Sequence, residues 1–474
     1  MAGAASTPRG ILPALLTLAA LVPLVHAHVF EAGNDASRFA TIEALVDQGT
    51  GAIERSRYHW TVDRVSFGGH DYSNKPPLLS LLGAGAYWAL ERGAGLGFAT
   101  DEPAVVWSLT FLLAAVPSAG LVGLFHRSLA RHWTPAGADR RVLAMVTAAL
   151  ATGTILTSFS TTFANHAVAA ALLFAACDAA WSGSGLLAGF LISLVVGIDT
   201  VPGLLFIPPL ALALDDRAGR RGLLRYGAAL LLGAAMLVAA DLFVLGSPWL
   251  PKMVPGAIDA SSRMGPSVAG VLLPSSWTYP VSALFGWHGF FSVSPVLLFG
   301  AWGLGRAARR GAPPFPRRLA LALAAACLVM IVGHALFVGS YGGWSYGFRY
   351  LIPIVPVLLF FAPAALDATG RRLFLPALAV SILTALLGAY HPWPPGDEPG
   401  TGQHPVASIV TNPVGANLAA WLRQYSPGGV LAEPAGALFI SPEPGPRGKY
   451  LALFYASKGD QAMARRITGA GAVE

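Results

Sequence analysis

Two short stretches hold the residues best suited to chemistry: Asp35-Ala36-Ser37-Arg38-Phe39 and Ser73-Asn74-Lys75-Pro76-Pro77-Leu78. A carboxylate can take a proton from a hydroxyl, and guanidinium or ammonium groups neutralise an anion. Arg38 follows Asp35 by three residues, a spacing at which helical side chains meet. The plainer reading of Asp35 is a cap, because Asn34 or Asp35 sits where a helix N-cap belongs. Phe39, Ile42 and Val46 recur at helical spacing, which predicts a short amphipathic helix lying at a membrane surface.

Arg349 is the next candidate. It closes Gly342-Gly343-Trp344-Ser345-Tyr346-Gly347-Phe348-Arg349-Tyr350, just before an apolar run opens at Leu351. Glycines let backbone amides approach an anion, and a guanidinium can grip phosphate at two points. The alternative is a snorkelling arginine inside an aromatic interface belt to which Trp344 and Tyr346 belong. Arg349 is the only basic residue of that loop, which favours the functional reading. Arg64, His70, Asn165, His166, Trp344, Tyr346 and His288 are weaker substrate-binding candidates. Histidines at helix ends are more commonly just hydrogen-bonded, and Arg55 and Arg57 read as a solvated loop face. No HxxH or ExxH spacing supports a divalent metal. Asp199 and Asp241 are acids at membrane depth, where ionisable groups are functional candidates, and Asp178 reads as interface trim.

The elements that must carry these residues are membrane helices. The 474-residue chain is 54% hydrophobic and 12% charged, against the ~25% charge of ordinary soluble proteins. That excludes a soluble enzyme, a disordered chain and a fibrous repeat, and predicts an all-α polytopic membrane protein. Cys177 and Cys327 both lie in apolar runs, so no disulfide framework is expected. The net charge of +7 reads as the arginine excess that orients spans rather than as a nucleic-acid footprint.

Apolar runs fall at 11–30, 103–125, 142–160, 164–182, 185–199, 201–214, 223–246, 288–304, 319–339, 351–366 and 373–390. Four arginine clusters separate them: 127–141, 217–225, 306–318 and 371–372. All should be cytoplasmic, and parity then requires that 76–90 is not a full span. It reads as a juxtamembrane or re-entrant helix on the outer face. The expectation is about eleven spans, with the N-terminus in the cytoplasm and the C-terminus outside the cell membrane. Val25-His26-Ala27 also resembles a signal-peptide cleavage site, which leaves the next segment outside either way. Residues 1–390 form the transmembrane domain, with 31–102 as its first outer loop. Residues 391–474 form a small exported tail, with an amphipathic stretch at 414–425 and a strand-like run at 450–455.

The order of the two motifs resembles the GT-C glycosyltransferases of the protein O-mannosyltransferase and aminoarabinose (lipid A) transferase type. In that group an acidic residue just past the first span, often in a D-E-x-R-Y pattern, precedes a K-P-P-L or H-P-P-L element. Here the pattern reads Asp35-Ala36-Ser37-Arg38-Phe39, then Lys75-Pro76-Pro77-Leu78. Ala36 replaces the family's second acid, and no long inserted outer module is visible.

The resemblance implies a GT-C fold and transfer of a sugar from a polyprenyl-phosphate carrier on the extracytoplasmic face. Such a transfer needs a base for the acceptor hydroxyl and positive charge on the leaving phosphate, which makes Asp35 the expected general base, with inversion at the sugar carbon, and Arg38, Lys75 and Arg349 the expected phosphate contacts. The expected partners are the bilayer, the lipid-linked donor as co-substrate, and an acceptor lipid, glycan or protein. The rival is a transporter or flippase of lipid-linked sugars, which should show repeated halves and mid-span charges. Ten carboxylates between Glu31 and Glu102 favour surface chemistry instead.

Overall fold

In the computed structural model, residues 10–30, 34–260, 267–268, 271–272, 278–310, 315–337, 344–395 and 412–468 are described. Glu31, Gly342 and Gly343 lie outside them. Helix α1 (Ile11–Leu21) leads into an extended segment and then α2 (Asn34–Asp47). A hairpin of β1 (Arg64–Phe67) and β2 (His70–Ser73) precedes α3 (Leu78–Ala94) and α4 (Phe98–Thr110). A turn of π-helix at 111–115 joins α4 to α5 (Val116–Trp133). Then come α6 (Arg140–Thr152), α7 (Ile155–Phe159), α8 (Asn165–Trp181), α9 (Gly185–Ile198) and α10 (Thr200–Leu245). Strand β3 (Ile258–Asp259) pairs antiparallel with β1. Helices α11 (Thr278–Phe285), α12 (Leu297–Arg310), α13 (Arg317–Phe337), α14 (Val355–Phe360) and α15 (Ala368–Tyr390) complete the bundle.

The chain is a multi-pass membrane protein. Helical segments 98–133, 200–245, 317–336 and 368–390 are long and apolar enough to cross a bilayer, and four shorter apolar helices join them. Large apolar side chains face outward along them, Leu231 at 76% and Phe243 at 72% exposure among them. Such faces suit lipid rather than water. Helix α8 is apolar on every side and almost wholly buried, as a helix at the centre of a bundle must be.

Several expected spans are broken rather than continuous. The run at 142–160 divides at Gly153 into α6 and α7. The run at 351–366 alternates 3-10 and α turns, because Pro353, Pro356 and Pro363 each remove an amide donor. Helix α10 is two helices that reverse at Gly219, whose backbone (φ 57°, ψ −154°) suits only glycine. Its first half runs back along α9, with Gly203 against Val196. Its second half runs parallel to α9, where Gly185 abuts the Gly222 carbonyl. A Cβ on Gly185 would come within 2.2 Å of that oxygen, so the close crossing requires the small residue.

The arginine clusters gather at one end of the bundle. Arg127 and Arg131 pair with Asp178, Arg318 with Asp216, and Arg371 with Asp139. Arg217 lines a cavity there together with Arg131, Trp181 and Ser182. Helix α8 spans from this end to Asn165 and His166 at the other.

The C-terminal segment forms four short helices, α16 (Pro413–Tyr425), α17 (Ala432–Phe439), α18 (Pro444–Ser457) and α19 (Gln461–Thr468). The strand expected at 450–455 is instead part of α18. Leu451, Phe454 and Tyr455 recur at three- and four-residue spacing and bury together against α16 and α17.

Candidate functional site

Asp35 lies in the first turn of α2 and is 1% exposed. The Phe30 amide donates to its Oδ2 at 3.1 Å, and the Ala36 amide donates to Oδ1 at 2.9 Å. Burial pushes the carboxyl up to about 7, while those amides and the charge of Arg38 oppose the rise. A carboxyl near neutrality is suited to taking a proton from an attacking hydroxyl.

Helix α2 differs from its expected surface placement. Every residue from Asn34 to Ala44 is buried, because α3, the hairpin and the 160s loop enclose it on all sides. Arg38 also differs. Its guanidinium reaches back a full turn, so Nη1 donates to Asn34 Oδ1 at 2.6 Å and to the Asn34 carbonyl at 3.0 Å. Among the described residues it forms no ion pair with Asp35, and its buried Nε has no partner. Burial lowers the guanidinium to about 10.

The hairpin places the second motif. Register pairing of Arg64 with Ser73 continues into a bond from the Asn74 amide to the Asp63 carbonyl, and the next residue, Lys75, comes alongside Asp63. Lys75 Nζ lies 2.9 Å from Asp63 Oδ2. Ser37 of α2 donates to the Asp63 carbonyl and bonds Ser73 Oγ at 2.6 Å, fastening the hairpin to the helix that carries Asp35. Burial lowers Lys75 to about 8, although Asp63 supports its charge. Burial also raises Asp63, but Lys75, Arg349 and Lys252 outweigh it and hold the carboxyl below its ordinary value. Asn74 and the Lys252–Asp259 pair extend this network to β3.

Arg349 opens a 3-10 turn and is 5% exposed. Its guanidinium lies 4.7 Å from the Trp393 ring centre and 5.3 Å from that of Tyr350, while Nε and Nη1 are buried without partners among the described residues. Its charge lies within electrostatic reach of Arg38, Asp63, Lys75 and His166. His166 Nδ1 bonds Asp199 Oδ2 at 2.5 Å, and Asn165 donates to the Ile198 carbonyl.

Other candidates lie elsewhere. Arg64 turns to the hairpin face, pairing with Asp71 and donating to the His59 carbonyl. His70 is largely exposed and bonds Glu54. Tyr346 is fully buried and spends its hydroxyl on the Thr384 carbonyl, while Trp344 is half-buried. The His288 carbonyl accepts the Phe348 amide and so fixes the turn before Arg349. Asp63 and Trp393 are additions that motif reading did not find. The signal for Asp63 was Gly68-Gly69, a two-residue turn with both φ angles positive between short alternating runs.

The arrangement can hold an anion beside a near-neutral carboxyl. Among the described residues neither Arg38 nor Arg349 makes an ion pair, although both are buried. Buried cations without counter-charges are costly, and a bound phosphate offsets that cost.

Neither a protein-family model nor a curated protein sequence matches this chain. Among solved structures, the chain is similar to ArnT from Cupriavidus metallidurans in its apo state, at 15% identity, covering 97% of this chain and 76% of that one, with a TM-score of 0.48. It is likewise similar to ArnT from Cupriavidus metallidurans bound to undecaprenyl phosphate, at 15% identity, covering 97% of this chain and 77% of that one, with a TM-score of 0.49.

Proposed function

We propose that this protein is a membrane glycosyltransferase that moves a sugar from a polyprenyl-phosphate donor to an acceptor hydroxyl on the extracytoplasmic face. One observation carries the reading. Two buried guanidiniums that make no ion pair among the described residues, Arg38 and Arg349, lie within electrostatic reach of each other and of Lys75, and Arg38 acts likewise on the Asp35 carboxyl, which burial raises to about 7. The donor's tail stays in lipid while its phosphate binds these cations at the end of the bundle opposite the arginine clusters.

Asp35 removes the acceptor proton as the hydroxyl oxygen attacks the anomeric carbon. The bond from that carbon to the phosphate oxygen breaks on the opposite side, which inverts the centre. The electron pair leaves with the phosphate, and Arg38, Arg349 and Lys75 stabilise the growing charge. Deletion of the gene, followed by mass spectrometry of lipid-linked sugars and exported glycans, tests the reading. Loss of one glycan with accumulation of its lipid-linked donor is expected. Loss of outer-face donor with no defect in transfer from supplied donor points to a flippase and contradicts it.

A further inference from the structure

We infer that the C-terminal helical unit, α16–α19, is a positioning element for the transfer site, acting through the short segment His391–Trp393. The inference rests on the roles given above to Asp35 and Arg349. Asn417 of α16 donates its amide to the Leu387 carbonyl at 2.7 Å and to the His391 carbonyl at 2.9 Å. The Trp393 amide donates to His391 Nδ1, which leaves the proton on Nε2 to be donated to Ser457 Oγ of α18 at 2.9 Å. Phe454 of α18 meets the same imidazole edge-on, with ring centres 4.5 Å apart. Two helices of the unit therefore hold one segment from both its backbone and its side chain.

That segment touches both halves of the site. The His391 ring lies 5.3 Å from the Phe30 ring, and it is the Phe30 amide that donates to Asp35 Oδ2. Two residues on, the Trp393 ring underlies the Arg349 guanidinium and is fixed by a bond from Nε1 to Thr162 Oγ1 at 3.0 Å. A second contact reinforces the first. Gly459, in the turn between α18 and α19, lies against His28, whose ring is 4.4 Å from Phe30. A Cβ on Gly459 would meet His28 Cγ at 2.8 Å, and its φ of +84° also suits glycine.

The titratable groups around Phe30 are His26, His28 and His391, with Lys458 and Asp460 behind them. Burial, aided by neighbouring positive charge, depresses His26 to about 3, His28 to about 4, and His391 well below its ordinary value. These rings are neutral at working pH and act by packing rather than by charge. Loosening the segment should weaken the Phe30 amide bond, which favours ionised Asp35, and should free the Arg349 guanidinium from its platform.

The test uses full-length Ser457→Ala and Phe454→Leu, with Ser457→Thr as the hydroxyl-retaining rescue and Val430→Ala as a control on the exposed side of the unit. The readouts are the pH profile of sugar transfer and binding of polyprenyl phosphate in detergent. Both test variants should shift the acid limb upward by about one pH unit and weaken polyprenyl phosphate binding about tenfold. The rescue and the control should match wild type. Wild-type profile and affinity in folded Ser457→Ala overturn the inference. That outcome differs from failure of the functional reading, in which Asp35→Asn retains transfer.

Discussion

Lys75 and Asp63 form a 2.9 Å ion pair although eleven residues and a complete hairpin separate them. The hairpin register makes this contact, and it places the ammonium beside two guanidiniums that it would otherwise repel. Asp63 therefore supports the charge of both Lys75 and Arg38.

Replacing Lys75 by Met should leave Asp63 without its ion-pair partner and cost about 3 kcal/mol of stability. The double variant Lys75→Met/Asp63→Asn should recover most of that loss in thermal unfolding. Neither should regain transfer, which is expected to fall about 100-fold. Recovery of activity in the double variant would remove Lys75 from phosphate binding.

Arg349→Lys keeps the charge but loses the planar fork that stacks on Trp393 and can hold phosphate at two points. The KM for the lipid donor should rise about tenfold, and Arg349→Ala should raise it further. An unchanged donor KM in Arg349→Ala would return this residue to an interface belt.

Both native cysteines are buried and free, so a single introduced thiol reports topology cleanly. Asp71→Cys should react with an impermeant maleimide added outside intact cells, and Gly137→Cys should react only after the membrane is opened. The reverse pattern would invert the orientation drawn from the arginine clusters.

Much of the site was legible because its parts lie in short motifs. Asp35 and Lys75 stand out by their order after the first apolar run, and Arg349 by its isolation before another. The remainder depends on contacts between distant segments. Asp63 becomes a site residue only through strand register. Arg38 bonds Asn34 one turn back, while the two Asp35 oxygens accept the Phe30 and Ala36 amides. The burial of α2 could not be read from its own pattern, since the residues that enclose it, Phe98 and Phe163 among them, follow far along the chain. The run at 450–455 fits either period, and only the core it joins selects the helix.

The near-neutral carboxyl sets a pH dependence whose sign is fixed. Asp35 must be ionised to accept a proton, so transfer should rise with pH through a midpoint of about 7. Stability should move the other way. Its raised value means that the fold favours the protonated form, so this contribution is present below the unfolded carboxyl range and lost as pH rises through about 7. The neutral Asp35→Asn protein should accordingly be at least as thermally stable as wild type at pH 8.

The most direct test of the central claim is sugar transfer by Asp35→Asn in membranes supplied with polyprenyl-phosphate sugar. The account predicts a protein that is inserted, folded and able to bind polyprenyl phosphate, with transfer reduced at least about 1,000-fold. Transfer at the wild-type rate, with the same dependence on pH, would contradict it.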